Sequence, residues 1–243
     1  MTAHHFSVDL EEYFQVSAFE SLVARSAWEG LESRVAGQVA RLLDLLAQHD
    51  ARATFFVLGW VAERHAELIR TISRAGHEIA SHGWDHARVT AYDSSLFPVL
   101  RPGYGYPGGS PDPHWLDRSA GRLAEIPPAT LQWCGVRLPA AGGAYFRLLP
   151  YTLVRVAFRQ CERRGAPGTF YIHPWEVDPA QPRLAVSWLT RVRHYGGLRR
   201  TAQRLGRLLT EFRFTAIRDT VAALSAPARP AAGSAWQVAV SAQ

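Results

Sequence analysis

The apolar positions in the first third of the chain switch between two spacings. Short continuous runs occupy residues 6–10, 53–58 and 77–81, and each has the length of a buried strand. Between them, residues 31–48 and 61–75 carry apolar side chains at every third or fourth position, as one face of an amphipathic helix requires. Strand and helix therefore alternate, and this order predicts an α/β fold with a parallel sheet or barrel.

The second half of the chain begins differently. Residues 98–113 are crowded with Pro and Gly and indicate a long loop. Residues 151–164 have helical spacing, residues 168–173 form another strand-like apolar run, and residues 189–212 are helical on both sides of a double-glycine break. Helix and strand thus alternate again after the loop.

Composition limits the number of domains. The 243 residues are 47% hydrophobic and 20% charged, which suits one globular domain with a substantial core. From residue 222 onward the composition turns to Ala, Ser and Pro. We therefore predict one domain over residues 1–221 and a flexible tail over residues 222–243.

The basic residues are all arginines. The chain has 27 basic and 21 acidic residues and a net charge of +6. Because this mild excess is spread along the chain, no nucleic-acid partner is expected. A denser series comprises Arg191, Arg193, Arg199, Arg200, Arg204 and Arg207. We predict a solvated helix face there, with a grip on an anionic glycan or nucleic acid as the alternative.

The two cysteines and the amino terminus indicate where in the cell the protein is expected. Cys134 and Cys161 lack the close spacing of a thiolate metal site and are too few for a disulfide scaffold, so both are predicted to be buried and reduced. No apolar run is long enough to span a bilayer. The first five residues do not start a secretory signal pattern, so a cytoplasmic protein is expected.

Two histidines directly follow the predicted strand at residues 77–81. His82 and His86 are four residues apart, a spacing that can direct two imidazoles at one metal ion. Parallel β/α folds build their active sites at the carboxyl ends of strands. The pair is therefore a candidate metal site, and two unrelated polar histidines are the alternative.

Acidic residues end the first predicted strand. Alternation along a strand places Asp9 and Glu11 on the same side, and Glu12 follows them. One carboxylate could complete a metal site with the histidines, and another could act as general base toward metal-bound water. The alternative is an acid-rich helix amino terminus, which the helix dipole favours.

A third histidine ends the apolar run at residues 168–173. His173 precedes a proline, so the chain must turn there. A histidine at such a position suits a general acid, and a capped loop histidine is the alternative. Elsewhere, Gly142-Gly143 lacks the Lys-Ser/Thr of a phosphate loop and indicates close backbone packing or a tight turn.

Seven segments occur along the chain in the order SVDLEEYFQV, ATFFVLGWVAE, AGHEIASHGWDH, YDSSLFP, AAGGAYFRLLPY, FYIHPWEVDP and RHYGGLRRTAQRL. Together they resemble one known family, the exosortase-linked branch of the NodB-type polysaccharide deacetylases. The resemblance covers most of residues 5–220. The resemblance implies a distorted (β/α) barrel with its site at the carboxyl ends of the strands.

The resemblance also implies a role for each candidate residue. Asp9 matches the catalytic base and His173 the histidine that protonates the leaving amine. The expected ligands of a divalent metal ion, with zinc the expected one, are Glu11, His82 and His86, with Glu12 as a substitute for Glu11. The aromatic residues expected to contact the substrate, with packing as their alternative role, are Trp84, Tyr145 and Trp175.

The implied reaction removes N-acetyl groups from sugars of a polysaccharide or oligosaccharide during exopolysaccharide synthesis or modification. The chain departs from the family between Thr90 and Tyr92, where relatives carry a helix, a strand and an Arg-Ala-Pro motif. We therefore expect a barrel short of one β/α unit. A catalytically impaired carbohydrate-binding remnant of the same family is the alternative function.

Overall fold

The computed structural model describes residues 2–84, 92–93, 97–99, 106, 108–118 and 121–224. Strands and helices alternate as in an α/β fold. The strands are β1 (His4–Leu10), β2 (Thr54–Val57), β3 (Glu78–Ser81), β4 (Tyr92–Asp93), β5 (His114–Arg118), β6 (Gly121–Glu125), β7 (Thr130–Trp133), β8 (Val136–Pro139), β9 (Thr169–Ile172) and β10 (Phe214–Thr215). The helices are α1 (Val35–Gln48), α2 (Gly59–Arg64), α3 (Ala66–Arg74), α4 (Gly143–Leu148), α5 (Tyr151–Arg164), α6 (Trp188–Tyr195), α7 (Leu198–Glu211) and α8 (Ile217–Ala223). Short 3-10 helices span Ser17–Phe19, Arg25–Gly30 and Pro174–Val177.

A parallel sheet with β1 at its centre organises the molecule. One edge of β1 pairs with β9, and the other pairs with β10 near its start and with β2 further along. Strand β3 pairs with β2, and all four pairings are parallel. Beyond β9, Pro128 and Gly142 form parallel bridges to Thr169 and Tyr171, so the sheet continues there. This curved parallel sheet, covered by helices, is the α/β architecture predicted from the sequence.

The core lies between this sheet and the helices α1, α5 and α7. Helices α1 and α7 contact each other, and both contact the short helix Pro174–Val177. Aromatic rings fill much of the space, among them Phe6, Phe170 and Phe146, whose ring centroids lie about 5 Å apart in successive pairs. Each buried phenylalanine contributes roughly 1.5–3 kcal/mol by removal of its surface from water. This packing fixes the carboxyl ends of the central strands.

Most of the predicted elements are present. The helix predicted at residues 61–75 is instead two helices, because the backbone turns at His65, which ends α2 and precedes α3. Gly76 adopts φ +83° and ends α3, as the sequence predicted. Across the described ranges, no helix has the length and apolar character needed to cross a bilayer. Helix α8 runs to Ala223, and the remainder of the predicted tail lies outside the described residues.

Two hairpins were not predicted from the sequence. Strands β5 and β6 pair antiparallel, as do β7 and β8. The second hairpin turns at Cys134 and Gly135, both with positive φ, as a two-residue hairpin turn of primed type requires. Cys134 is exposed at this turn, so its prediction as a buried residue is wrong. Cys161 is buried in α5, as predicted.

Candidate active site

Three strand ends bring the predicted chemistry together. Asp9 is near the end of β1, Glu11 follows that strand, His82 follows β3 and His173 follows β9. Because these strands are parallel, their carboxyl ends lie on one rim of the sheet. A cleft of about 580 Å³ opens at this rim, and its lining includes Glu11, His82, His173 and Tyr145.

The His173 ring lies between carboxylates. Its Nε2 is 3.8 Å from Asp9 Oδ2 and 3.7 Å from Glu11 Oε1. On the other side of the ring, Nδ1 is 2.8 Å from Glu176 Oε1. The side chain of Glu11 is almost entirely buried, whereas the side chains of Asp9 and His173 remain partly exposed. One ring nitrogen is thus held by Glu176, and the other faces Asp9 and Glu11.

Glu176 belongs to a buried ion pair that the sequence did not reveal. It lies in the short helix Pro174–Val177, where its carboxylate also accepts a hydrogen bond from the His173 backbone N–H at 3.1 Å. Arg147 Nε of α4 donates to Glu176 Oε2 at 2.6 Å, and both side chains are buried. The other Arg147 nitrogens donate to the carbonyl oxygens of Gly196 and Arg193. Arg147 therefore fixes the carboxylate that orients His173.

These contacts set the charge of His173. Burial alone would lower the pKa of its imidazole, but the charge of Glu11, the hydrogen bond and charge of Glu176, and the charge of Asp9 outweigh it and raise the pKa to about 9. Burial acts to raise the pKa of Glu176, and the positive charges of Arg147 and His173 reverse this and lower it. The imidazole is therefore protonated at neutral pH, with its Nε2–H directed toward Asp9 and Glu11.

Trp175 forms a wall behind the site. Its indole stacks on His173 at 5.2 Å and on His194 at 4.1 Å, and its Nε1–H lies 3.4 Å from Glu11 Oε1. Trp175 is only 5% exposed. These stacked contacts fit the packing role noted from the sequence as the alternative, and because Trp175 also lines the cleft, its direct contact with the substrate stays a prediction.

Glu12 lies outside the cleft, although it follows Glu11 directly. Its carboxylate accepts hydrogen bonds from the Ser33 hydroxyl and from the backbone N–H groups of Arg34 and Val35. Those N–H groups are the unpaired donors at the start of α1. Of the two adjacent glutamates, one therefore caps a helix and the other faces the cleft.

The other predicted aromatic residues differ in position. Tyr145 lies in α4 and lines the cleft. Trp84 is 53% exposed, and its ring covers Gly59 so closely that a Cβ at Gly59 would collide with it. Gly142 approaches the backbone carbonyl of Tyr171 with φ +144°, which confirms the close packing predicted for the double glycine.

Two of the predicted metal ligands lie in the cleft. Glu11 and His82 line the same cleft and supply a carboxylate and an imidazole, the donors that zinc accepts. His86, the second predicted imidazole, lies outside the described residues. Within the described ranges, no cluster of three or more His, Cys, Asp or Glu side chains has metal-binding geometry. Glu11 and His82 fit a metal ligand role, with the remaining ligands expected from the sequence.

Two family models match the chain. Residues 32–97 match the model described as polysaccharide deacetylase, and residues 94–222, more than half of the chain, match a domain of unknown function, DUF3473. The chain belongs to the DUF3473 family, and a segment that matches the polysaccharide deacetylase model begins ahead of that domain. In this family member, Glu11 and Asp9 precede both matched segments, His82 lies in the first, and His173 and Glu176 lie in the second.

Curated relatives match a short part of this chain. A chitooligosaccharide deacetylase of Rhizobium leguminosarum bv. trifolii is 44% identical over 54 residues, which are 22% of this chain and 25% of the relative. The peptidoglycan-N-acetylglucosamine deacetylase PgdA of Listeria monocytogenes serotype 1/2a (strain 10403S) is 41% identical over 49 residues, 20% of this chain and 10% of the relative. The chain thus spans a quarter or less of the length of these relatives.

Solved structures match nearly the whole fold of this chain. One is a protein described as a polysaccharide deacetylase from Mycobacterium smegmatis, with TM-score 0.53, 18% identity, and coverage of 91% of this chain and 90% of that chain. Another is described as a polysaccharide deacetylase from Pseudomonas aeruginosa PAO1, with TM-score 0.50, 15% identity, and coverage of 86% and 84%. At this identity the likeness establishes the fold, an α/β fold whose parallel sheet and helices are consistent with a distorted barrel.

Proposed function

We propose that this protein hydrolyses the N-acetyl groups of an N-acetylated sugar polymer with the help of a divalent metal ion. The observation that carries the proposal is the position of His173. Its ring is clamped by Glu176 on one nitrogen and presents the other to Asp9 and Glu11, in a cleft that His82 also lines. A protonated donor opposite two carboxylates is the arrangement that amide hydrolysis needs.

Each residue of the site has a separate role in the proposed hydrolysis. Asp9 accepts a proton from the attacking water, and the water oxygen bonds to the acetamide carbonyl carbon. A divalent cation, when held by Glu11, His82 and His86, supplies Lewis-acid polarisation of the water and the carbonyl. His173 then donates its Nε2 proton to the sugar nitrogen as the C–N bond breaks. Acetate and a free amine leave, and Glu176 keeps the ring oriented throughout.

The sugar class follows from the relatives. Their names specify chitooligosaccharide and peptidoglycan N-acetylglucosamine as substrates. An N-acetylglucosamine-type unit is therefore the substrate we propose for this chain. The seven sequence segments that resemble the exosortase-linked branch support a place in exopolysaccharide synthesis or modification.

Acetate release tests the proposal. The purified chain, first stripped with a chelator and then given one equivalent of zinc, should release acetate from an N-acetylglucosamine oligomer, and the stripped protein should not. The His82→Gln variant should bind zinc more weakly and lose most of the release, because an imidazole ligand is gone.

The alternative of a non-catalytic remnant makes a different prediction. A remnant would bind the oligomer in a calorimetric titration but release no acetate with zinc bound. That result would overturn the hydrolytic proposal and leave the fold assignment intact. Release from the native chain would remove the remnant alternative.

A further inference from the structure

Helix α6 presents apolar side chains to solvent. Trp188 is 75% exposed and Leu189 is 67% exposed, and Val192 is also exposed. These positions fall within one arc of the helix, because residues i, i+1 and i+4 are about 100° or less apart around its axis. On the opposite side of α6, His194 is buried, and Tyr195 at the last position of the helix is buried as well. A soluble surface rarely exposes a tryptophan and a leucine side by side without a partner.

The stretch of sequence that contains α6 and the start of α7 is rich in positive charge. No acidic residue occurs between Asp178 and Glu211 in the sequence. Arg191, Arg199 and Arg200 are exposed in this interval. We define these three arginines with Trp188, Leu189 and Val192 as the basic apolar rim.

Two other arginines of the interval are engaged within the protein. Arg204 donates to the backbone carbonyl groups of Phe146 and Leu149, so its predicted place on a solvated face is wrong. Arg207 pairs with Glu211 and lies over the Tyr151 ring. The rim arginines are therefore distinct from those that hold the fold together.

The rim borders the candidate active site. Thr190, Arg193 and His194 of the same helix line the cleft that contains His173. The short helix Ser17–Phe19 also lines the cleft, and the Phe19 ring contacts the His194 ring with centroids 4.4 Å apart. Helix α6 is thus a wall of the cleft on one side and an exposed apolar surface on the other.

We propose that the basic apolar rim docks on an anionic lipid bilayer. A tryptophan and a leucine suit the boundary between headgroups and acyl chains, and flanking arginines suit anionic headgroups. An anionic polymer would explain the arginines but not the exposed Leu189 and Val192. A second copy of the chain would bring the arginines of two rims together, which the like charges oppose. Docking in this way holds the mouth of the cleft near the membrane surface.

Vesicle co-sedimentation of the full chain tests the proposal. Vesicles of phosphatidylcholine with 30% phosphatidylglycerol are the probe, and pure phosphatidylcholine vesicles are the comparison. The chain should sediment with the anionic vesicles and much less with the neutral ones. This binding does not depend on the proposed deacetylation, so failure of one leaves the other standing.

Matched variants locate the surface. Trp188→Ser with Leu189→Ser should weaken binding to anionic vesicles roughly tenfold or more. Trp133→Ser should leave it unchanged, because Trp133 is 55% exposed but lies on the β7–β8 hairpin.

Charge is tested with a second matched pair. Arg199→Gln with Arg200→Gln should weaken binding roughly tenfold or more, since each arginine near an anionic surface adds to the attraction. Arg70→Gln with Arg74→Gln removes the same charge from α3 and should have little effect.

Three results would overturn the proposal. The first is an absence of binding to anionic vesicles, and the second is equal loss of binding in the rim variants and their controls. The third is a dimer in sedimentation velocity without lipid that the Trp188 and Leu189 changes dissociate, since a second copy would then cover the rim.

Discussion

His173 illustrates how much of a site is local in sequence. Its position at a strand end before a proline suited a general acid, with a capped loop histidine as the alternative, and the family resemblance implied the acid role. Glu176 is three residues further on and could have been found from the His-Pro-x-Glu pattern, in which the glutamate returns to cap the turn. Arg147 could not have been found in this way, because only the packing of α4 brings it to Glu176.

Gly142 permits a sharp prediction at the same scale. The change Gly142→Ala should destabilise the protein by several kcal/mol, roughly 3 or more, because the new Cβ would collide with the Tyr171 carbonyl and φ is +144°. Gly37→Ala in α1 is the matched control. Nothing lies within 4 Å of its added Cβ, so alanine should stabilise the helix by about 0.5–1 kcal/mol. Urea unfolding checks both, and equal effects would contradict this explanation.

At the scale of elements, two adjacent glutamates serve different structures. Glu12→Ala should lower the free energy of unfolding by about 1–3 kcal/mol, because the first backbone donors of α1 lose their acceptor. Zinc stoichiometry and affinity should stay the same. Glu11→Gln should weaken zinc binding by more than about tenfold, because a ligand in the cleft is changed.

Calorimetric zinc titration of the two glutamate variants provides the measurement, with unfolding in urea alongside. If Glu12→Ala removed zinc binding and Glu11→Gln did not, the two roles would be reversed. The sequence alone left both residues open, because the start of α1 lies more than twenty residues after them along the chain.

The buried pair of Arg147 and Glu176 joins α4 to the short helix after β9. Glu176→Gln should cost about 3–5 kcal/mol, because it leaves a buried guanidinium without a counter-charge. The double change Arg147→Met with Glu176→Gln should cost less than the sum of the single changes, since the unpaired charge is then absent.

Glu63→Gln is the control for this ion pair. Glu63 pairs with Arg64 on the exposed surface, so its loss should change stability by about 1 kcal/mol or less. Urea unfolding of the four variants measures these differences. Additive costs for Arg147 and Glu176 would show that the two side chains act independently.

The unpredicted elements also have a physical explanation. Strands β7 and β8 do alternate polar and apolar residues, but each is only four residues long, and they flank Cys134-Gly135, which is not one of the usual hairpin-turn pairs. Strand β7 also packs against α5, a contact that the local pattern does not reveal. Strands β2 and β9, which are buried on both faces, were predictable because they are almost continuously apolar.

At the scale of the whole molecule, buried histidines set the response to acid. Burial lowers the pKa of His4 to about 4, of His5 to about 3 and of His77 to about 4. His4 Nδ1 accepts the Gly168 backbone N–H, and His77 Nδ1 accepts that of Ala53, so the neutral rings serve as acceptors. These histidines help to tie β1, β3 and their neighbours together.

The sign of the pH dependence follows from these pKa values. The unfolded chain takes up protons on these histidines near pH 6.5, and the folded protein does not until pH 4 or below. Their contribution to stability is therefore complete above pH 6.5 and is lost as the pH falls toward 4. Each histidine should lower the free energy of unfolding by roughly 1.4 kcal/mol per pH unit in this range.

Urea unfolding at pH 7 and pH 5 measures this loss. His77→Asn should reduce the slope by about one histidine's share, because the amide oxygen can replace Nδ1 as the acceptor for Ala53 and does not titrate. A stability that is equal at the two pH values would contradict the neutral state of the buried rings.

The convergence of distant residues was predictable because the topology is simple. Parallel strands place their carboxyl ends on one rim, so the positions of Asp9, His82 and His173 at three strand ends were sufficient to predict a common site. The predicted loss of one β/α unit falls next to residues 85–91, which lie outside the described residues, and it stays a prediction.

The most direct test of the proposed chemistry is the rate at which zinc-loaded Asp9→Asn releases acetate from an N-acetylglucosamine oligomer, measured against the native chain and against Asp44→Asn, an exposed change in α1. The proposed role of Asp9 as general base predicts a rate at least about 100-fold below that of the native chain, with Asp44→Asn unaffected. Equal rates for Asp9→Asn and the native chain, or no acetate from the native chain with zinc bound, would contradict it.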